Sequence, residues 1–580
     1  MCSALTNKPM LLVAFGILLL APLPGIAESM LHVYKAGSVI TMDESLPRAE
    51  AVAVADGLIV AVGSVESMQP WLQSRRHVID ERFADKVITP GLIDNHLHPQ
   101  LAALLLNTHW ITPHEWDLPG WSVPRTRGHD EYLRVLQHAV DDSPVDDAPF
   151  ITWGYHEIWH GEINRAKLDR VSKERPIIVW QRSFHEVIAN TAGIQWLGVD
   201  PTKPSPHADI DLEHGAFSEQ GMIQFALAPL SRYLLRPEKL ARGHDRLRDI
   251  IWRGGITTIA DMGGGGYPMV KHEVASLKNS FGGDDTPFRI MVVPAIANTN
   301  LDKELDELAD ELDSYPEMST HKIIVKKHVK FLADGAFFAQ YMRMNPPGYT
   351  DGHEGKWLTQ PDELLSFARE FWNRGYQIHI HVNGDEGLDV VLDTLQTLLD
   401  EKPRADHRMT LHHVGYATND QLHRAAELGA VISAQPYYLW ALGDVYAKKG
   451  LGFDRASQMS RIGGMLRQGI RVSLHSDFTM APAAPLTLSS VAVNRVTAEN
   501  TLMAPEERIT VQQALRAITI DAAYALRMEQ EIGSIVAGKR ADFTVLEDDP
   551  LAVNPLKLKD ISIWGTVFEG RVFPLTPESK

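Results

Sequence analysis

Apolar positions along this chain fall in short dense runs, and the runs change character twice. From Leu31 to Ile88 the segments LHVYKAGSVITM, AEAVAVADGLIVAVG and RHVIDERFADKVI are rich in β-branched residues and broken by Gly and Asp. Ala55-Asp56-Gly57 has the chemistry of a hairpin turn. The same pattern returns at the other end, in GSIVAGKRADFTVLE and IWGTVFEGRVF between Gly533 and Phe573. Two β-rich ends around a different middle predict one small β-sandwich assembled from both termini.

The middle alternates between two periodicities. Eight strand-like runs occur: Val87–Ile93, Gly255–Asp261, Arg289–Ala295, His328–Leu332, Gln377–Val382, Met409–Val414, Ala430–Pro436 and Arg471–Asp477. Apolar residues recur at three and four over Asp362–Arg374, Glu386–Glu401, Asn419–Leu428 and Arg461–Gln468, which predicts helices there. Strand–helix alternation implies an α/β fold with a parallel sheet, and eight strands fit a (β/α)8 TIM barrel. The stretch from about 100 to 253 is too long for one crossover and is expected to be an inserted subdomain after barrel strand 1. The expected division is therefore 28–86 and 526–580 for the two parts of the sandwich and 87–525 for the barrel.

Composition narrows the function. The 580 residues suit a large barrel with accessories, and 44% hydrophobic with 22% charged residues is ordinary for a globular core. A net charge of −18, scattered without long runs of one sign, argues against a nucleic-acid partner. The first 27 residues read as a signal peptide: Lys8, an apolar core over Met10–Leu20, and Gly25-Ile26-Ala27 as a small-x-small cleavage site. An uncleaved anchor is the alternative, but the run is short for a membrane span. The only cysteine, Cys2, lies inside this leader, so the mature chain is expected to be free of thiols and disulfides. The expectation is a periplasmic or secreted protein, with no membrane association after cleavage and a small molecule as its partner. Whether it forms a homo-oligomer is left open.

Several strands end on residues that carry chemistry. His96 and His98 close the first and, being two apart, share a face. Lys330 lies in the fourth, with Asp334-Gly335 just after it. The fifth holds His379 and His381, the sixth His412 and His413, and the eighth His475 and Asp477. One such histidine is usually a satisfied core residue. Four strand ends bearing His or Asp on the ligand-binding side of a barrel suit a divalent metal such as zinc.

With these motifs in place the sequence resembles the amidohydrolase superfamily, in the branch of N-substituted formamide deformylases. The resemblance runs from about Leu31 to Phe573 and rests on PGLIDNHLH, GITTIADMG, VKFLADGA, IHIHVNGD, LHHVGY, LHSD and GSIVAGKRADFTVL, taken in order. It implies that His96, His98 and Asp477 bind one metal ion and that His381 and His413 hold a second. It further implies that a carboxylated Lys330 bridges the two. The implied reaction is hydrolysis of a non-peptide C–N bond, an amide, by a metal-activated hydroxide with Asp477 as catalytic general base. His185, in RSFHEVIAN with Asn190, matches a substrate-binding position of the branch.

This chain departs from the family at two places. His412-His413 stands where Glu-His is frequent, and strand alternation lets only one of the pair face the metals; the motif alignment selects His413. His475 stands where a small residue is usual. His379 and His475 share a face with proposed ligands, so they either line the pocket or compete as ligands. An ordinary lysine at 330 over a one-metal site is the alternative to a carbamate. His156-Glu157-Ile158-Trp159-His160 fits the zinc-protease pattern H-E-x-x-H, but its glycine-flanked setting is poor for a long helix. Gly263–Gly266 reads as the loop after strand 2 rather than a phosphate cradle. A group of aromatics, Trp110, Trp116, Trp153, Tyr155 and Trp159, suits either an apolar substrate or the core of the insertion. A deaminase or cyclic-amide hydrolase on the same scaffold remains open, as does a non-catalytic metal-binding regulatory or solute-binding protein.

Overall fold

The computed structural model describes residues 30–144, 148–264, 270–296 and 304–575. The expected leader lies outside them. Eight parallel strands carry the middle of the chain: β1 (Leu92–Leu97), β2 (Ile256–Gly264), β3 (Arg289–Pro294), β4 (His328–Leu332), β5 (Gln377–Val382), β6 (Thr410–His413), β7 (Val431–Ala434) and β8 (Arg471–Leu474). They are buried on both faces, as parallel strands covered by helices must be. The covering helices follow their apolar spacing. Pro361–Asn373 buries Leu364, Phe367, Ala368, Phe371 and Trp372 along one stripe, and starts from a capping box between Gln360 and Glu363. Asp385–Glu401, Asn419–Glu427 and Ile462–Arg467 match the other expected helices within two residues at each end.

The ladder does not close into one sheet. Strands β1–β3 form one parallel sheet and β4–β8 another. The cause at one seam is a divided strand. Ile323–Val325 pairs with β3, the chain steps aside at Lys326-Lys327, and β4 then pairs with β5. A single isolated bridge, Ala295 to Lys330, spans that seam. At the other seam β1 meets the loop after β8 through individual hydrogen bonds. The Asp477 N–H donates to the His96 carbonyl (2.9 Å), the Ser476 N–H to Asp94 Oδ1 (3.1 Å) and Asn95 Nδ2 to Ser473 Oγ (2.9 Å).

Both chain ends build one continuous seven-stranded sheet, in place of the two facing sheets of a sandwich. The reason is the long strand His77–Pro90. It pairs in parallel with Leu31–Ile40 on one side and antiparallel with Phe543–Leu546 on the other, so it knits both halves into one ladder. This also moves the expected start of barrel strand 1. Val87–Pro90 belongs to the terminal sheet, and β1 begins only after Gly91. A side chain at Gly91 would meet Thr257 at 2.0 Å, so glycine is what lets the two strands pass. The insertion carries a six-stranded sheet of its own and returns through helix Pro237–Arg253, which packs on Pro99–Leu105.

The terminal sheet is fastened to the strand bottoms by Arg289, fully buried at the start of β3. Its guanidinium is paired with Asp542 and lies 3.3 Å from Glu569. Removing Asp542 leaves that buried cation poorly compensated. Asp542→Ala is expected to cost about 3–5 kcal/mol, read as a lower urea midpoint. An unchanged midpoint would show that the junction does not depend on the pair.

Candidate metal centre

The seven side chains given a site role by the resemblance line one cavity of ≈ 1250 Å³: His96, His98, Lys330, His381, His413, Asp477 and His185. His96 and His98 come from the end of β1, Lys330 from β4, His381 from β5, His413 from the last position of β6, and Asp477 from the loop after β8. Asp477 Oδ1 lies 3.3 Å from His98 Nε2 and 3.8 Å from His96 Nε2. Ligand atoms of His96, His413 and Asp477 fall within 4.8 Å of one another. His413 Nε2 and Lys330 Nζ are buried with no hydrogen-bond partner among the described residues. Orphaned buried nitrogens aimed at a carboxylate are the donor set a divalent cation takes, and His, Asp and a neutralised or carboxylated Lys fit it.

The histidines outside this set are already engaged. His412 places Nδ1 2.8 Å from His96 Nδ1 and Nε2 2.9 Å from His379 Nδ1. His475 places Nε2 3.1 Å from His413 Nδ1 and Nδ1 2.8 Å from Ser433 Oγ. Ser433 in turn donates to Asn95 Oδ1 (2.9 Å). His96, His412 and His475 also have ligand atoms within 4.8 Å of one another. Yet His96 and His475 stack at 28°, and His412 spends both nitrogens on neighbouring rings. A cation sits in the ring plane of its ligand, so the trio is a support beneath the centre and not a second site. His475 thus supports the ring of His413, and His379 supports that of His412.

Strand alternation fails at His413 for a local reason. Its φ is +76°, and Asp477 has φ +53°. Both lie in the left-handed region that non-glycine residues rarely adopt. His412 points inward on the pleat, and the turned backbone at the end of β6 brings His413 over the same interior one level higher. Both histidines thus face the centre, which simple alternation excluded.

Charge in the centre is set by burial and by two carboxylates. Burial works to lower the His98 pKa, but hydrogen bonding and attraction from Asp261 (3.8 Å) and Asp477 outweigh it and raise it to about 9. Burial lowers Lys330 to about 7, against the pull of Asp477. Burial also raises Asp94 to about 7, although the His96 and Ser476 N–H groups donate to it. His185 donates Nδ1–H to Glu219 (2.9 Å). Burial opposes a proton there, and Glu219 overcomes it and raises the His185 pKa. Asp261, Asp94, Glu219 and Tyr438, whose hydroxyl lies 3.3 Å from His413 Nδ1, were not singled out in the sequence. Asp261 had a signal, a carboxylate near the end of β2 inside GITTIADMG. Asp94 had one too, inside PGLIDNHLH, whereas Glu219 and Tyr438 act through contacts that span tens of positions.

Other sequence features resolve into structure. His156 caps and His160 ends a four-residue helix, Glu157–His160. His156 Nε2 donates to the Phe338 carbonyl (2.7 Å) and His160 Nε2 to that of Thr126 (3.0 Å), so neither awaits a metal. Asn190 caps helix Thr191–Trp196 through the Gly193 N–H (2.7 Å) and is absent from the cavity wall. Trp110, Trp116 and Trp153 pack on one another with centroids 4.5–6.1 Å apart, inside the insertion. A side chain at Gly263 would meet the His98 ring at 2.5 Å, so this glycine makes room for that imidazole. The remainder of its loop, 265–269, lies outside the described residues.

The sequence profile described as the amidohydrolase family matches residues 84–574. The chain belongs to the amidohydrolase family. It is 26% identical to the N-substituted formamide deformylase of Arthrobacter pascens over 537 residues, covering 92% of this chain and 96% of that one. It is 25% identical to the protein LONG AFTER FAR-RED 3 of Arabidopsis thaliana over 550 residues, 91% of this chain and 88% of the other. Among solved structures it is similar to an uncharacterised metal-dependent hydrolase from Pyrococcus horikoshii OT3. There the TM-score is 0.66 and the identity 18%, over 90% of this chain and 99% of that one. It is also similar to a zinc-bound adenosine deaminase from Xanthomonas campestris, with TM-score 0.52 and 16% identity over 93% and 92%.

Two outcomes are expected of this family member. Gly263→Ala pushes on His98 and should weaken Zn2+ binding while thermal stability holds; unchanged affinity would remove His98 from the ligand set. With His98 as a ligand, a cation would also have to displace the proton that Asp261 and Asp477 favour there. Apparent Zn2+ affinity should therefore rise with pH up to about 9, by close to tenfold per unit for one displaced proton. Calorimetry across pH 6–9 checks this, and a flat profile contradicts it.

Proposed function

We propose that the protein is a metal-dependent hydrolase of a non-peptide C–N bond, the amide of a small molecule with a bulky apolar substituent. The observation that carries this is the placement of the His/Asp/Lys cluster on the wall of a large cavity that is otherwise mostly apolar. Phe184, Phe337, Phe338, Leu227, Leu235 and Met480 line it. The relative named as a formamide deformylase supports the amide. The two parallel sheets are read as one (β/α)8 barrel whose ladder is interrupted at two seams.

His96, His98, His381, His413, Asp477 and Lys330 would hold one or two divalent ions, zinc first by donor type. Such an ion supplies Lewis acidity and an acidified water. Lys330 is prepared for carboxylation by burial, which brings its ammonium down to about 7 and leaves the free amine that carbon dioxide requires. Asp477 faces the cavity beside His98 and takes the proton of the attacking water, then delivers it to the leaving nitrogen. His185, oriented by Glu219, donates from Nε2 toward the substrate carbonyl. The leader supports a periplasmic or secreted location, and no described helix is long and apolar enough to cross a membrane.

A panel of N-acyl amines with small and large apolar groups tests this on zinc-loaded protein. The wild type should prefer the large ones. Asp477→Asn, kept at saturating Zn2+, should lose about 10²–10⁴-fold in kcat. Wild type and variant equally inert across the panel would favour a binding protein, and turnover of amino-heterocycles alone would favour a deaminase.

A further inference from the structure

Beneath the centre runs an unbroken line of four imidazoles. His96 directs Nε2 at Asp477 and places Nδ1 2.8 Å from His412 Nδ1. His412 Nε2 lies 2.9 Å from His379 Nδ1, and His379 Nε2 lies 2.9 Å from His328 Nδ1. His328, at the start of β4, ends the line with an Nε2 that is buried and has no hydrogen-bond partner among the described residues. All four rings are buried, and each hydrogen bond between two of them needs one N–H and one bare nitrogen, the pair that a neutral imidazole supplies.

Four neutral rings sharing three hydrogen bonds have two arrangements of protons only. In the first, His96 carries Nδ1–H, each ring donates to the next, and His328 ends with Nε2–H. In the second every proton is reversed: His328 donates from Nδ1, His96 accepts at Nδ1, and His96 Nε2 carries the proton. Holding a cation through His96 Nε2 requires that nitrogen to be bare, which admits only the first arrangement. Without a cation the second is favoured at both ends. It presents an N–H to the Asp477 carboxylate, and it leaves a lone pair, not a stranded N–H, at His328, on which the positive charges of Lys326, Arg408 and Arg527 act.

We propose that His412, His379 and His328 are positioning residues that select the nitrogen His96 offers, and that Zn2+ binding reverses the whole line and switches the tautomer of His328 three rings away. The inference rests on the proposed metal centre, with His96 as a ligand, but not on its substrate or chemistry. It assigns a purpose to His412, which stands where the family frequently has Glu. An imidazole can pass the orientation onward through its second nitrogen. A carboxylate would accept from His96 and end the line there.

The test is two-bond 1H–15N spectroscopy of the 15N-histidine-labelled full chain, stripped with chelator and then titrated with Zn2+ alone. The His328 signal is identified by its loss in His328→Gln. It should change from Nδ1–H to Nε2–H at one equivalent of zinc. In His379→Leu, which cuts the line, His328 should no longer respond. His412→Leu should weaken Zn2+ binding by about 10–100-fold, and His412→Gln, which keeps a donor and an acceptor, should recover most of it. Zinc binding with a static His328 tautomer overturns this inference and leaves the proposed function standing, as does a His328 that still switches in His379→Leu. Failure of the stripped chain to bind Zn2+ overturns both. If a variant does not fold, the wild type with and without zinc decides alone.

Discussion

The structure depends on one constraint: polar nitrogens buried among parallel strands must find partners within the strands themselves. No water-facing loop serves His379, His412 or His475, so they serve one another and the ligands above them. The same constraint operates at the seam between β1 and β8. There the buried Asp94 carboxylate accepts from Ser476 N–H, and the His96 carbonyl from Asp477 N–H. These bonds place the carboxylate of Asp477 over the β1 histidines and hold its backbone in the left-handed region. Such a cluster is preorganised where a second group orients the ring, as His412 does for His96 and His475 for His413.

The insertion gives the centre its surroundings. Arg182 shows how it is attached. The guanidinium is fully buried and donates to His114 Nδ1 (3.0 Å) and to the Met480 carbonyl (3.0 Å), among the rings of Trp116, Phe338 and Tyr437. It thus ties the insertion to the loop that carries Asp477. Ser183, Phe184 and His185 follow directly and form part of the cavity wall. The apolar surface of the cavity comes from Leu, Phe and Met, while the tryptophans are spent on the core of the insertion.

Much of this was legible in the residues. The spacing of His96 and His98, the placing of Lys330 and His381 on strands and of Asp477 just after one, and the amphipathic stripe of Pro361–Asn373 are local patterns, because side-chain direction repeats along a strand or helix. The pairing of the two chain ends was legible for the same reason, as two matching β patterns. The joining of those ends into a single sheet was not. It follows from the long strand His77–Pro90 bonding on both edges, which no local window contains.

The sequence by itself marked the side chains that gather on one cavity wall and assigned them to strands, or the turns after them, of an α/β fold, since residue type and periodicity are properties of neighbours. Only the tertiary structure decided what each does there. It turned His413 inward against strand alternation, set His412 and His475 to hold other rings, gave Asn190 and the H-E-x-x-H histidines backbone partners, and brought Asp261 to His98. Those outcomes depend on which buried nitrogen meets which partner across distant strands, and that matching exists only once the strands are side by side.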